Sequence, residues 1–227
     1  MTYPCTEANR CWPVAGRWLV SPPRPKKIDE ARLGSGILLQ SIRETRDTQT
    51  PITASMWFWQ KVLGHNRGAY WPMHFTSVLT GLAANVYCGI ETSPGYMPGC
   101  YIQALGKIHI GDYTQIGPNV GIISANHDPH ENHVHAPSDV YVGAYGWIGM
   151  NAVILPGVTL GDFTIVGAGS VVTKSFETGY CIIAGNPAQL IRKLNEKNCV
   201  RHRSAYEYNG YIRHADFEAY RQKFLTV

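Results

Sequence analysis

Aliphatic side chains recur at every sixth position along much of the chain: Ile110, Ile116 and Ile122, then Val142, Ile148, Ile154, Leu160, Val166 and Val172. An amphipathic helix repeats at 3.6 residues and a half-buried strand at two, so neither period explains this spacing. A small or β-branched residue stands two places before many of them (Thr114, Val120, Ala152, Val158, Thr164, Ser170), and glycine follows most (Gly111, Gly117, Gly143, Gly149, Gly161, Gly167). Each hexad reads as one short strand plus a turn. Residues two apart on a strand share a face, so the small residue and the aliphatic both point inward, and the glycine is assigned the tight corner. Stacked hexads bury a continuous aliphatic column, which predicts a mainly-β fold, a parallel β-helix.

The period breaks once inside the repeat. Ile122 and Val142 are separated by 20 residues, which is not a multiple of six, so "SANHDPHENHVHAPSDVY" must leave the coil and return in a new phase. An excursion loop over 123–141 is predicted, carrying His127, His130, His133 and His135. Loops held on a rigid scaffold are where reactive groups are displayed.

The flanks set the domain plan: an arm over 1–80, the β-helix over 81–194 and a tail over 195–227. Within the arm "SPPRPKKIDE" reads as a linker, and "TASMWFWQKVLG" as a helix with Thr53 as N-cap and Gly64 at its end. In the tail "HADFEAYRQKFL" places Phe217, Tyr220 and Phe224 on one helical face, expected to pack on the coil or on a neighbouring subunit. A net charge of +4 with 16% charged residues is too mild for a nucleic-acid binder. A secretory leader and an 18-residue apolar run are not found, so a cytoplasmic chain without a membrane span is expected. Its six cysteines (5, 11, 88, 100, 181, 199) form no CxxC pair and are read as free thiols.

Three stretches, "IHIGDYTQIGPNVGIISANH", "YGWIGMNAVILPGVTLGDFTIVGAGSVVTK" and "IAGNPAQLIRKL", resemble the hexapeptide-repeat acyltransferases over about residues 81 to 194. The likeness is to the sugar and polysaccharide O-acetyltransferase branch; "ANH" and "AGNPA" segments also occur in xenobiotic acetyltransferases. This resemblance implies a left-handed parallel β-helix, acetyl-CoA as co-substrate, a sugar or glycan hydroxyl as acceptor, a role in bacterial surface-polysaccharide biosynthesis, and a homotrimer. The alternatives it leaves are an amino-sugar nitrogen or an antibiotic as acceptor, or a catalytically silent scaffold.

By the same resemblance the loop's catalytic histidine is His127. Transfer from a thioester to a hydroxyl needs a base near neutrality, which imidazole supplies. His130, His133 and His135 are read as solvated loop residues. No metal is expected: His130 and His135 have a spacing found in zinc-holding hexapeptide proteins, but the third histidine those proteins need upstream is missing. Backbone amides at Gly149 or Met150 are candidates for stabilising an oxyanion. Coenzyme A is long and anionic, so its groove wants small residues along its length and cations at its phosphates. The resemblance assigns that groove to Trp147, Gly149, Met150, Gly167, Ala168, Thr173, Lys174, Ala184, Gly185, Pro187, Arg192 and Lys193, with Gln189 where related enzymes carry arginine. For the acceptor, Met97 falls where galactoside and maltose enzymes hold sugar with asparagine; Met97 and Tyr101 of "SPGYMPGCY", with Tyr70 and Trp71 of the arm, are the candidates. Tyr70, Trp71, His74 and Phe75 have a second use, sealing the open end of a β-helix.

Overall fold

The computed structural model describes residues 35–227, with side chains from Leu38 onward, and the backbone of a short antiparallel ladder between Trp12–Val14 and Arg17–Leu19. The linker expected at 21–30, and Cys5 and Cys11, lie outside the described residues.

The hexads build a three-faced prism, the left-handed parallel β-helix. The first face stacks Val86–Cys88, Ile108–Ile110, Val140–Val142 and Thr159–Leu160. The second stacks Gln115–Ile116, Trp147–Ile148, Thr164–Val166 and Cys181–Gly185; the third stacks Val78–Gly81, Tyr101–Ala104, Gly121–Ile123, Val153–Ile154 and Val171–Val172. Neighbours on each face pair in parallel, and regular coils place partners 18 residues apart, as Trp147 on Ile165 and Val153 on Val171. Only the closing strand Ala188–Lys193 runs antiparallel, against Cys181–Gly185. The coil opens at Val78, paired with Tyr101, slightly ahead of the boundary expected at 81.

Inside, the sixth-position aliphatics form three columns. Ile102, Ile122, Ile154 and Val172 fill one, Ile116, Ile148, Val166 and Ile183 another, and Ile110, Val142 and Leu160 the third, nearly all excluded from solvent. The small residues two places earlier are buried with them, as the strand period requires. Where they are threonines they serve the corner carbonyls: Thr114 Oγ1 donates to Gly143 O (2.7 Å) and Thr164 Oγ1 to Gly161 O (2.7 Å). A buried hydroxyl is tolerated here because its bond is made.

The glycines act differently from the sequence expectation. A Cβ at Gly111, Gly143 or Gly149 would lie 2.5–2.6 Å from a backbone nitrogen of the next coil, and one at Gly161 would lie 2.2 Å from Glu177 O. These positions need glycine for close approach of coils; the left-handed backbone falls two residues later, at Tyr113, Asn119, Tyr145, Asn151 and Phe163 (φ 54 to 58°). Aromatic residues there carry a left-handed penalty of about 1–2 kcal/mol each. Stacking offsets it: Tyr113, Tyr145, Phe163 and Tyr180 form a ladder down one edge with centroids 4.9–5.3 Å apart, at about 0.5–1.5 kcal/mol per aromatic pair.

The tail fastens to that ladder and returns to the other end of the prism. Arg201 lies over Tyr145 and Phe163 and bonds Asp162 Oδ2 (2.9 Å) and Tyr180 OH (2.9 Å). Tyr113 OH donates to Glu207 Oε1 and accepts Ser204 N–H; burial pushes this hydroxyl up to about 12, so it stays a donor. Tyr208 O then accepts Glu91 N–H, Asn209 bonds Cys88 O, and helix His214–Phe224 sets Phe217 against Tyr70 and Tyr87. The expected aromatic face therefore packs on the chain's own first coil.

The arm closes the same end. Thr53 caps helix Ala54–Trp57, which continues as a π-helical turn Phe58–Val62 before Gly64 (φ 88°). Gln60, fully buried there, donates to Trp71 O (2.9 Å) and accepts from Tyr211 OH (2.7 Å), joining arm to tail. Ile148 is fully buried between Ile116 and Val166. Ile148→Ala leaves a void that the coils above and below cannot close, and is expected to destabilise by about 2–5 kcal/mol. A lowered midpoint in thermal or urea unfolding checks this; an unchanged midpoint contradicts the column.

Candidate active site

The excursion leaves the corner after the third face and rejoins the first. Its stem is more regular than a featureless loop: Ala125–His127 pairs antiparallel with His135–Pro137. Gln103, on the coil above, holds the root by accepting Ala125 N–H (3.1 Å), while Ser124 Oγ accepts Gly106 N–H (3.0 Å). At the tip, the Asp128 carboxylate accepts His130 N–H (2.8 Å) and Glu131 N–H (3.1 Å), and Asp128 N–H donates to Val134 O (2.8 Å). Backbone and side-chain bonds thus shape the turn without a core beneath it.

That turn brings Asn132 back to His127, whose Nδ1 bonds the Asn132 carbonyl. A carbonyl only accepts, so Nδ1 carries the hydrogen in this bond. With that hydrogen on Nδ1, Nε2 is the nitrogen left for chemistry, and His127 itself is exposed. Nothing in the sequence marks Asn132, because its contribution is a backbone oxygen. Gln103 was equally hidden, because it pairs with Ile123 at an offset of 20 residues where the regular coils use 18.

Of the other loop histidines, His133 Nε2 meets Glu131 Oε1 at 3.1 Å in the open, and His135 has its ring 4.4 Å from that of His127. His135 is exposed, as expected of a solvated loop residue, and is also engaged with His127. His109 sits in an ordinary hexad, stacked on Tyr87 (4.2 Å) and facing Tyr141; burial lowers its pKa and favours the neutral ring. Among the described residues, no three His, Cys, Asp or Glu side chains converge to hold a metal.

The residues assigned to coenzyme A distribute over the second face and the closing strand. Trp147 is 56% exposed, and register aligns Trp147, Ile165, Ile182 and Arg192 on successive rungs. At about 4.8 Å per rung, tryptophan and arginine lie roughly 14 Å apart along one outer row. Lys174 follows the third face and donates to Gln189 Oε1 (3.0 Å) above the Phe176 ring. Thr173, Arg192 and Lys193 are exposed, as is Pro187 after a cis peptide from Asn186. Gly149 and Gly167 are required by coil contact, a Cβ at Gly167 meeting Ala184 Cβ at 2.8 Å. Gly149 N–H is committed to Val166 O (2.8 Å), which removes it as an oxyanion donor. Met150 is exposed beside it.

Trp147 and His127 are not brought together within one chain. The hairpin springs from the corner between the third and first faces, and in a three-sided prism that corner lies opposite the second face. The acceptor assignments also change. Tyr70 and Trp71 are 3% and 0% exposed, their polar atoms spent on Val86 O, Cys88 N–H and Pro94 O, so neither reaches a ligand. They seal the coil's first end. Met97 and Tyr101 remain on the surface, with Tyr101 OH accepting from Thr80 (3.3 Å). Cys88, Cys100 and Cys181 are buried free thiols and Cys199 is a partly exposed one.

Comparison with known proteins places this geometry. The family description "Bacterial transferase hexapeptide (six repeats)" matches residues 139–174. The chain is 36% identical over 96 residues to a galactoside O-acetyltransferase of Escherichia coli K12, covering 40% of this chain and 46% of that protein. It is 32% identical over 113 residues to a chloramphenicol acetyltransferase of Agrobacterium fabrum, covering 40% and 54%. The chain thus spans about half the length of the curated relatives it matches. A solved galactoside acetyltransferase in complex with coenzyme A shares the fold, with a TM-score of 0.54 and 24% identity over 78% of this chain and 91% of that one. No helix among the described residues is long and apolar enough to cross a membrane. The repeat match, the relatives and the prism agree: the coiled domain of this chain is similar to the hexapeptide-repeat acyltransferases in sequence over residues 139–174 and in fold.

Proposed function

We propose that the protein is an acetyl-CoA-dependent O-acetyltransferase acting on a hydroxyl of a sugar or glycan, in the cytoplasm and in the building of a surface polysaccharide. The observation that carries this is the His127 ring, exposed on a braced hairpin with Nδ1 bonded to Asn132 O. Its Nε2 takes the acceptor's hydroxyl proton as that oxygen attacks the thioester carbonyl. Collapse of the tetrahedral intermediate expels the CoA sulfur, and the imidazolium returns the proton to it. An acyl-enzyme is not needed. The galactoside relatives support a sugar acceptor; the chloramphenicol relative supports a second reading, a xenobiotic hydroxyl.

Placement of Trp147 and His127 on opposite sides of one prism favours a site shared between subunits. We assign the active unit to a homotrimer in which His127 of one chain serves acetyl-CoA held along the second face of the next. The closed cyclic arrangement gives three equivalent sites. Arg192, at the end of the outer row, is assigned to a CoA phosphate. Lys174 assists from its position beside Gln189.

An acceptor screen of methyl glycosides, glycans and nucleotide sugars with acetyl-CoA, read by mass spectrometry for an added acetyl group, tests the activity; a silent scaffold would release no CoA thiol with any acceptor. His127→Ala or His127→Asn is expected to lower turnover by about 10²- to 10⁴-fold with little change in CoA affinity. Near-normal turnover would remove His127 as the base. Arg192→Ala should mainly raise the Michaelis constant for acetyl-CoA, and Lys174→Ala should do so less because Gln189 already engages its ammonium. Equal losses toward both substrates would contradict that placement. Equal, random co-assembly of His127→Ala chains with Trp147→Ala chains, provided each is inactive alone, should restore about a quarter of wild-type activity. A dead mixture with verified subunit exchange would put both halves in one chain.

A further inference from the structure

We infer that His135 is a positioning residue for His127, an assignment that rests on the reading of His127 as the base. The antiparallel register sets His135 directly opposite His127, Ala136 opposite Asn126 and Pro137 opposite Ala125. Directly opposed residues project from the same face of a two-stranded ribbon. The two rings accordingly meet at 4.4 Å with their planes inclined by 45°.

The base needs this contact because the hairpin offers it little else. His127 is exposed, so no core packing fixes its ring. The Cβ–Cγ bond and the Nδ1 bond to Asn132 O hold the ring along one edge, and a planar ring held along one edge can still swing about it. The His135 ring occupies one side of it and limits the swing, which leaves Nε2 with a defined direction. Neither of the other loop histidines shares this arrangement: His133 turns to Glu131, and His130 is tied through its backbone to Asp128. The role asked of His135 is steric, so an aromatic ring unable to carry a proton should perform it.

The test uses the full chain with His135→Ala and His135→Phe, each made alone and with His127→Ala, assayed with acetyl-CoA and the fastest-acetylated member of a methyl-glycoside panel. His135→Ala should lower kcat about tenfold while the Michaelis constant for acetyl-CoA is unchanged, a modest fraction of the roughly hundredfold cost of a 1 Å misplacement. His135→Phe should return kcat to within about twofold of wild type. In the His127→Ala background, His135→Ala should cause no further loss, since a residue acting through another has nothing left to orient. If His127→Ala is crippled but His135→Ala turns over normally, the positioning role is overturned and the base assignment stands. A His135→Phe variant as slow as His135→Ala, or a loss that persists in the His127→Ala background, also overturns it, because His135 would then be moving a proton or holding something else. Retained turnover in His127→Ala alone would overturn the base assignment and this inference together.

Discussion

The structure depends on how closely one coil can approach the next. At Gly111, Gly143, Gly149 and Gly161 a side chain would lie 2.2–2.6 Å from the backbone of the neighbouring coil, so any other residue forces the rungs apart. Ladder hydrogen bonds tolerate little lengthening. With the corners closed, parallel rungs form on all three faces, and the inward aliphatics meet their equivalents 18 residues on. The left-handed backbone falls two residues past Gly111, Gly143 and Gly161, at Tyr113, Tyr145 and Phe163, which stack with Tyr180 along one edge.

A stacked coil has two ends, and each exposes a layer of core and a row of unpaired backbone groups. At the far end the antiparallel strand Ala188–Lys193 closes the second face. At the near end Tyr70, Trp71 and Met73 fill the opening and helix His214–Phe224 lies against them. The tail reaches that end only because Arg201, Tyr113 and Glu207 pin it to the aromatic edge on the way. Aromatic residues that look available for a ligand are consumed in closing the fold.

The proposed base sits on the segment that escapes the repeat. A rigid prism supplies a fixed root through Gln103 and Ser124, and the hairpin supplies its own internal bracing through Asp128, Asn132 and His135. The outer row from Trp147 to Arg192 belongs to another side of the prism. Rigid faces fix the direction of each group, and their separation is the ground for the proposed site between subunits.

The sequence by itself determined the coil. Nine aliphatics in two runs at intervals of six, most with a small or β-branched residue two before them, point to stacked coils, and the phase break after Ile122 marks where the chain must leave them. Helix starts and ends such as Thr53 and Gly64 were legible for the same reason, since they depend on local backbone chemistry. Long-range packing decided the rest. Only the folded chain shows that corner glycines serve contact between coils, that Tyr70 and Trp71 are buried, and that Gly149 N–H is spent on Val166 O. The grip on His127 was likewise hidden: it comes from a backbone carbonyl at 132 and from a strand register that faces His135 toward it. A carbonyl is the same on every residue, and a cross-strand partner is set by where the turn closes, so neither leaves a mark on the identity of the side chains.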